Sequence, residues 1–146
     1  IMKPHPYLRA YIAGIAVPTL FLLLVVMPVY VYFRFYFEVP GQFVIGLPGR
    51  PLEQAIVFPM AVVPNAWGAW NVLHLRYRSR VPVSLGLHGA LLPLILMPAG
   101  IALARVFDVF SIQLQFALPM VPIGMAVYFL AWKFLVGFLN EELGIA

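Results

Sequence analysis

Residues 58–80 read "FPMAVVPNAWGAWNVLHLRYRSR", and the way this stretch is understood decides the fold. Its first half is apolar enough for the interior of a bilayer. Its second half holds Trp67, Trp70, Asn71 and His74, and then Arg76, Arg78 and Arg80. At about 100° per residue, the first four fall within about 100° of arc, while Asn65 points to nearly the opposite face. A polar stripe on an otherwise apolar helix has to face other protein or water, because lipid tails offer it no hydrogen bonds. The stretch is therefore expected to be one helix of a membrane bundle, with its seam turned inward.

The surroundings support that expectation. The chain has 146 residues, of which 64% are hydrophobic and 10% charged, and its mean hydropathy is +0.98. A soluble domain carries about 25% charged residues. Here nine Lys and Arg with five Asp and Glu cannot cover a surface of this size with charge. The apolar residues also run in long blocks rather than in stripes. The absence of cysteine excludes disulfides, thiol redox chemistry and cysteine-ligated metals. The net charge of +4 sits beside hydrophobic runs, which makes it a topology signal and leaves no nucleic-acid footprint.

A spanning helix needs about 20 mostly apolar residues. Four stretches meet that demand: 10–33, 55–73, 82–104 and 114–139. The predicted fold class is thus all-α, a polytopic integral membrane protein of four proline-kinked transmembrane helices forming one domain over residues 1–146. The first stretch has too long an apolar core for a removable signal peptide, and no small-x-small cleavage site follows it. It closes on "YVYFRFYF", whose aromatics suit a membrane interface. Residues 37–54 read as an extramembrane loop, punctuated by Pro40-Gly41 and Pro48-Gly49. The short "FVIGL" within it is too brief to support a re-entrant pore segment. Lys3, Arg9, Arg76, Arg78, Arg80 and Lys133 fall on one side and Arg34, Arg50 and Arg105 on the other. The positive-inside bias then puts both termini in the cytoplasm of a cell bounded by a plasma or inner membrane.

Every span carries two interior prolines, and each leaves a carbonyl one turn earlier without its N–H partner. In hydrocarbon that carbonyl needs a donor from elsewhere. Ala10 with Gly14, and Gly100 with Ala104, give the small-xxx-small spacing that lets helices approach closely.

The stripe has a complement in "SRVPVSLGLHGALLPL", which sets Ser84 and His88 one turn apart on the next span. A short loop makes the two spans antiparallel neighbours, so Asn71 and His88 are expected at similar depth and within reach of each other. Two readings follow. In the first, the stripe is helix-pairing glue and interface anchoring, and the chain is an accessory or anchor subunit of a larger membrane complex. In the second, it is a ligand-binding pocket on the cytoplasmic side. Trp67 and Trp70 would wall that pocket, Asn71, His74, Ser84 and His88 would supply its polar tips, and Arg76, Arg78 and Arg80 would hold an anionic headgroup. Its ligand would be amphipathic, a lipid or a quinone.

A third reading, a small enzyme acting on such molecules, is harder to staff, because the acids Glu38, Glu53, Asp108, Glu141 and Glu142 all fall at loops or ends. Ser84 and His88 make only a weak dyad, and no catalytic residue is assigned. No cofactor is predicted; haem between His74 and His88 is the one chemically open route, and no metal site is expected. The expected partners are membrane lipids, other membrane subunits or a second copy of the chain, and no nucleic acid. The subunit reading is preferred.

Overall fold

The computed structural model describes residues 5–36, 49–106 and 118–145. Every regular element among them is helical. Helix α1 (Pro6–Phe21) runs through a π-helical turn (Leu22–Val26) into α2 (Met27–Tyr36). Helix α3 (Gly49–Tyr77) is 29 residues long. A short α4 (Leu85–Ala90) is followed by α5 (Pro93–Val106). Finally α6 (Met120–Leu130) passes through a second π-helical stretch (Ala131–Val136) into α7 (Gly137–Glu142). Three of these helices are long and apolar enough to cross a membrane: Pro6–Val29, Leu85–Leu103 and Met120–Glu142. The chain is thus an all-helical protein of membrane-spanning composition.

Helix boundaries depart from the hydropathy reading where a cap or a proline decides them. Helix α1 starts at Pro6, earlier than residue 10. Proline is favoured at a first helical position because its missing N–H would be unsatisfied there anyway, and His5 caps the end by accepting from the Tyr7 N–H at 3.4 Å. The same logic moves the start of α3 back to Gly49, with Pro51 in its first turn. Residues 49–54 are therefore helix, not loop as expected; residues 37–48, with the "FVIGL" segment, lie outside the described residues. The last helix ends at Glu142 instead of 139 and begins at Met120, Pro119 serving as its N-cap. Residues 114–117 of the expected span lie outside the described residues.

The predicted third span is not one uninterrupted helix. Pro93 has no N–H for the Gly89 carbonyl, which accepts from Leu92 instead, at 3.0 Å. The ladder slips by one residue at Leu91 and Leu92, and α4 and α5 are separate elements. In the first span, Pro28 again lacks a donor, and the turn before it widens. There the Met27 N–H reaches back five residues to the Leu22 carbonyl, which makes the segment π-helical. Pro119 and Pro122 sit at the start of α6, where a missing donor costs little.

Helix α1 lies along α3 in the most extensive helix–helix contact of the bundle. Gly14 makes this approach possible, since a Cβ there would stand 2.5 Å from the Trp67 carbonyl oxygen. Ala10 is completely buried one turn away, so the first small-xxx-small pair marks a true helix contact. Asn65, on the far side of α3 from the stripe, accepts a hydrogen bond from the Tyr11 hydroxyl of α1. Helices α4 and α5 pack on α6 and the π segment after it.

Two apolar clusters result. Trp67, Leu92, Trp132 and Val136 form the central one. Ala10, Ala13 and Ile145 form a second at one end. Ile145 reaches that end because the chain reverses after α7. Gly144 adopts φ +63°, the left-handed conformation that favours glycine at a helix stop. The Ile145 and Gly144 N–H groups then close back onto the Asn140 and Glu141 carbonyls, each at 2.9 Å. Two cations from other helices finish the cap: Arg9 donates to the Leu143 carbonyl at 2.7 Å, and Arg78 to the Ile145 carbonyl at 2.9 Å. The start of α1, the end of α3 and the end of α7 therefore meet at one end of the bundle.

Candidate functional site

Asn71 and His74 of α3 lie toward this end. Asn71 is 1% exposed and Asn140 6%, and the two amides pair reciprocally. Asn71 Nδ2 donates to Asn140 Oδ1 at 2.8 Å, and Asn140 Nδ2 donates to Asn71 Oδ1 at 3.2 Å. Asn71 Nδ2 donates also to the Ala10 carbonyl, at 2.8 Å. One asparagine thus ties α1, α3 and α7 together with its side chain buried, where unmade hydrogen bonds are costly. The expected Asn71–His88 hydrogen bond is not formed. Helix α7 supplies the partner, since its extension past residue 139 carries Asn140 to the depth of Asn71.

His88 has a different partner on the same helix. Its Nε2 lies 3.0 Å from the Trp70 carbonyl, which can only accept, so Nε2 carries the proton. Trp70 Nε1 returns a bond of 2.8 Å to the His88 carbonyl. That carbonyl is one the Pro93 interruption leaves poorly served, with only a 3.3 Å contact from Leu91 N. The indole of a neighbouring helix thus makes good a backbone bond that the slipped ladder weakened. The imidazole stacks on Trp70 with ring centroids 4.8 Å apart, tilts against His74 at 4.9 Å and meets the edge of Trp132 at 6.0 Å.

Ser84 is an exposed N-cap of α4, its hydroxyl accepting from the Leu87 N–H at 3.3 Å. It forms no dyad with His88. Trp67 sits in the central core between Tyr128 and Trp132, at centroid distances of 4.9 and 5.3 Å, instead of walling a pocket. The three arginines expected at a cationic mouth are all exposed; Arg76 lies over the Tyr77 ring, and Arg78 is the one of the three that lines a cavity.

A cavity of about 300 Å³ opens beside Arg78. Asn71 and His74 of α3 and Arg78 just past its end line it together with Ala10 of α1, Leu85 of α4, and Lys133, Asn140, Glu141 and Ile145 of the last helix and its tail. It is a chamber among four helices, wider than the cleft expected between two. His74 lies past the apolar stretch of α3, and its pKa is lowered to about 4. Burial is the main cause, helped by the facing His88 and Arg78, so its ring is neutral at physiological pH.

Hydropathy reading missed Lys133, Asn140 and Glu141. Lys133 is a cation inside an apolar helix, and that alone singles it out. Asn140 follows Trp132 and Val136 at four-residue steps, and all three are buried. The π-helical turn holds such a series on one face, where a regular α-helix would drift.

Among the described residues, no three of His, Asp and Glu converge. Ring centroids 4.9 Å apart leave no room for a porphyrin plane bonded to both His74 and His88. Comparison with protein-family models, curated proteins and solved structures finds no match to this chain.

Proposed function

We propose that this chain is a four-span membrane protein whose role is structural, as an accessory or anchor subunit in a larger membrane assembly. The observation that carries the reading is the last helix. Only 11% of the apolar window in Met120–Glu142 is buried within the chain. Ile123, Val127, Leu130, Phe134 and Phe138 make an exposed stripe along it at three- and four-residue steps. The buried amides of Asn71 and Asn140 meanwhile serve each other, as glue does.

Helix α3 supplies the fourth crossing in this reading. At about 1.5 Å per residue its length exceeds the ~30 Å hydrocarbon core. Four crossings agree with the meeting of the α1 start and the α7 end. Arg9, Arg76, Arg78 and Arg80 crowd that end, so it lies in the cytoplasm by the positive-inside bias, at a plasma or inner membrane.

The test exploits the lack of native cysteine. A photocrosslinker attached through single cysteines at Val127, Leu130 and Phe134 should yield one protein adduct of constant mass in native membranes. The same reagent at Leu20 or Leu24, on the first span, reports the background. Adducts to lipid alone at all three stripe positions would end the subunit reading.

A second reading is favoured by the 300 Å³ chamber: a binder of amphipathic molecules at the cytoplasmic end. The cations there select an anionic headgroup over an uncharged quinone.

A further inference from the structure

We infer that the chamber at the cytoplasmic end is an anion site that takes the phosphate of an amphiphile, with Lys133 and Arg78 as its ligands. The inference rests on the pocket reading and is independent of what covers the outward stripe. Lys133 belongs to a helix of membrane-spanning composition, nine residues before Glu142 at the helix end, about 13 Å of rise. A cation at such a depth is expensive unless it is paired or faces a wet cavity. Among the described residues it has no carboxylate within ion-pair distance. Its ammonium lies over the Phe134 and Phe129 rings at 5.2 and 5.9 Å, and among the described residues no hydrogen bond uses its three donors.

Arg78 shares the chamber and spends one N–H on the Ile145 carbonyl. Among the described residues, Glu141 is the single carboxylate on the lining, against two cations. His74, neutral, and the mutually paired Asn71 and Asn140 complete the polar wall. Both side chains are open to the surface as well as lining the cavity, and a guanidinium fork with an ammonium point charge suits phosphate oxygens. The remaining lining, Ala10, Leu75, Leu85, Gly137 and Ile145, is apolar, as a glycerol backbone or the start of an acyl chain would require.

The test uses the whole chain in a mild non-ionic detergent. Three probes are compared by native mass spectrometry and thermal shift: dioctanoyl phosphatidic acid, dioctanoylglycerol with identical tails, and inorganic phosphate. The phosphatidic acid should bind one per chain and raise Tm, and dioctanoylglycerol should do neither. Lys133→Gln should weaken phosphatidic acid at least tenfold, and Lys133→Arg should retain it. Arg78→Gln should weaken it too, but it also loses the cap on Ile145, so the unliganded Tm of each variant is the folding control. Displacement by millimolar inorganic phosphate would assign the anion to solution, and resistance to displacement would assign it to lipid; both keep the phosphate chemistry. Equal binding of the two lipids, or unchanged affinity in a folded Lys133→Gln protein, overturns the proposal. The crosslinking test of the subunit reading probes another face, so the two can fail separately.

Discussion

The buried amide pair makes a quantitative prediction. Asn71→Leu removes three hydrogen bonds: two shared with Asn140 and one to the Ala10 carbonyl. Leucine is close in size, so little cavity forms, and the cost is electrostatic. Asn140, only 6% exposed, loses both of its partners and keeps a buried donor and acceptor. Leaving such groups unmet costs about 1–3 kcal/mol, although interhelical polar contacts in membranes average about 0.6 kcal/mol. The expected loss is about 2–3 kcal/mol for Asn71→Leu. For Asn140→Leu it is about 1–2 kcal/mol, because Asn71 keeps Ala10. The double variant replaces the pair by touching apolar groups and should lose only about 1–2 kcal/mol. The coupling is therefore about 1 kcal/mol or more, in the sense that the double is milder than the sum. Reversible unfolding in mixed micelles, followed by tryptophan fluorescence, measures all four proteins. Additivity within about 0.5 kcal/mol would refute the argument. Asn71→Leu combined with His88→Leu provides the contrast. These two share no hydrogen bond, and their effects should simply add.

Other outcomes follow from single contacts. Gly14→Ala pushes a methyl against the Trp67 carbonyl and the Gly68 backbone, at 2.5 and 2.8 Å. Backbone cannot step aside as a side chain can, so Tm should fall by an amount worth about 1–3 kcal/mol. Gly144→Val forces a branched residue to φ +63° and should cost about 1–2 kcal/mol; retained stability would mean the C-terminal reversal contributes nothing. His74 has a pKa lowered to about 4 when folded and near 6.5 when unfolded. The unfolded chain therefore binds the extra proton between those values, and stability should drop as pH falls from about 6.5 toward 4. His74→Gln should flatten that part of the Tm profile, and an unchanged slope would show that the ring is not protonated in this way.

Local chemistry made much of the bundle legible. Apolar blocks of membrane length identify Pro6–Val29, Leu85–Leu103 and Met120–Glu142 without any tertiary information. The angular placement of Trp67, Trp70, Asn71 and His74 correctly turned one face of α3 inward and Asn65 outward, because helical geometry depends only on neighbours along the chain. The carbonyl that Pro93 orphans, that of Gly89, is met by the Leu92 N–H, and the slipped ladder passes the need on to the His88 carbonyl, where Trp70 donates. Helix ends were less legible. Capping by His5, Ser84 and Gly144 and proline at first turns moved boundaries by a few residues, and hydropathy is blind to them.

What the amino-acid order could not settle is which polar group answers which. Asn71 and Asn140 are 69 residues apart, and nothing within either helix names the other. Their meeting depends on a π-helical turn that re-aims Asn140, on a last helix that outruns its apolar stretch, and on a tail folded back under two arginines. The chamber exists for the same reason. Its cations come from just past the end of α3 and from the last helix, and only the packing of four helix ends sets them around one space. Composition dictates a lipid surround because burial in hydrocarbon is a sum over residues taken one at a time. Pairing is a property of positions in space, and tertiary structure alone assigns those.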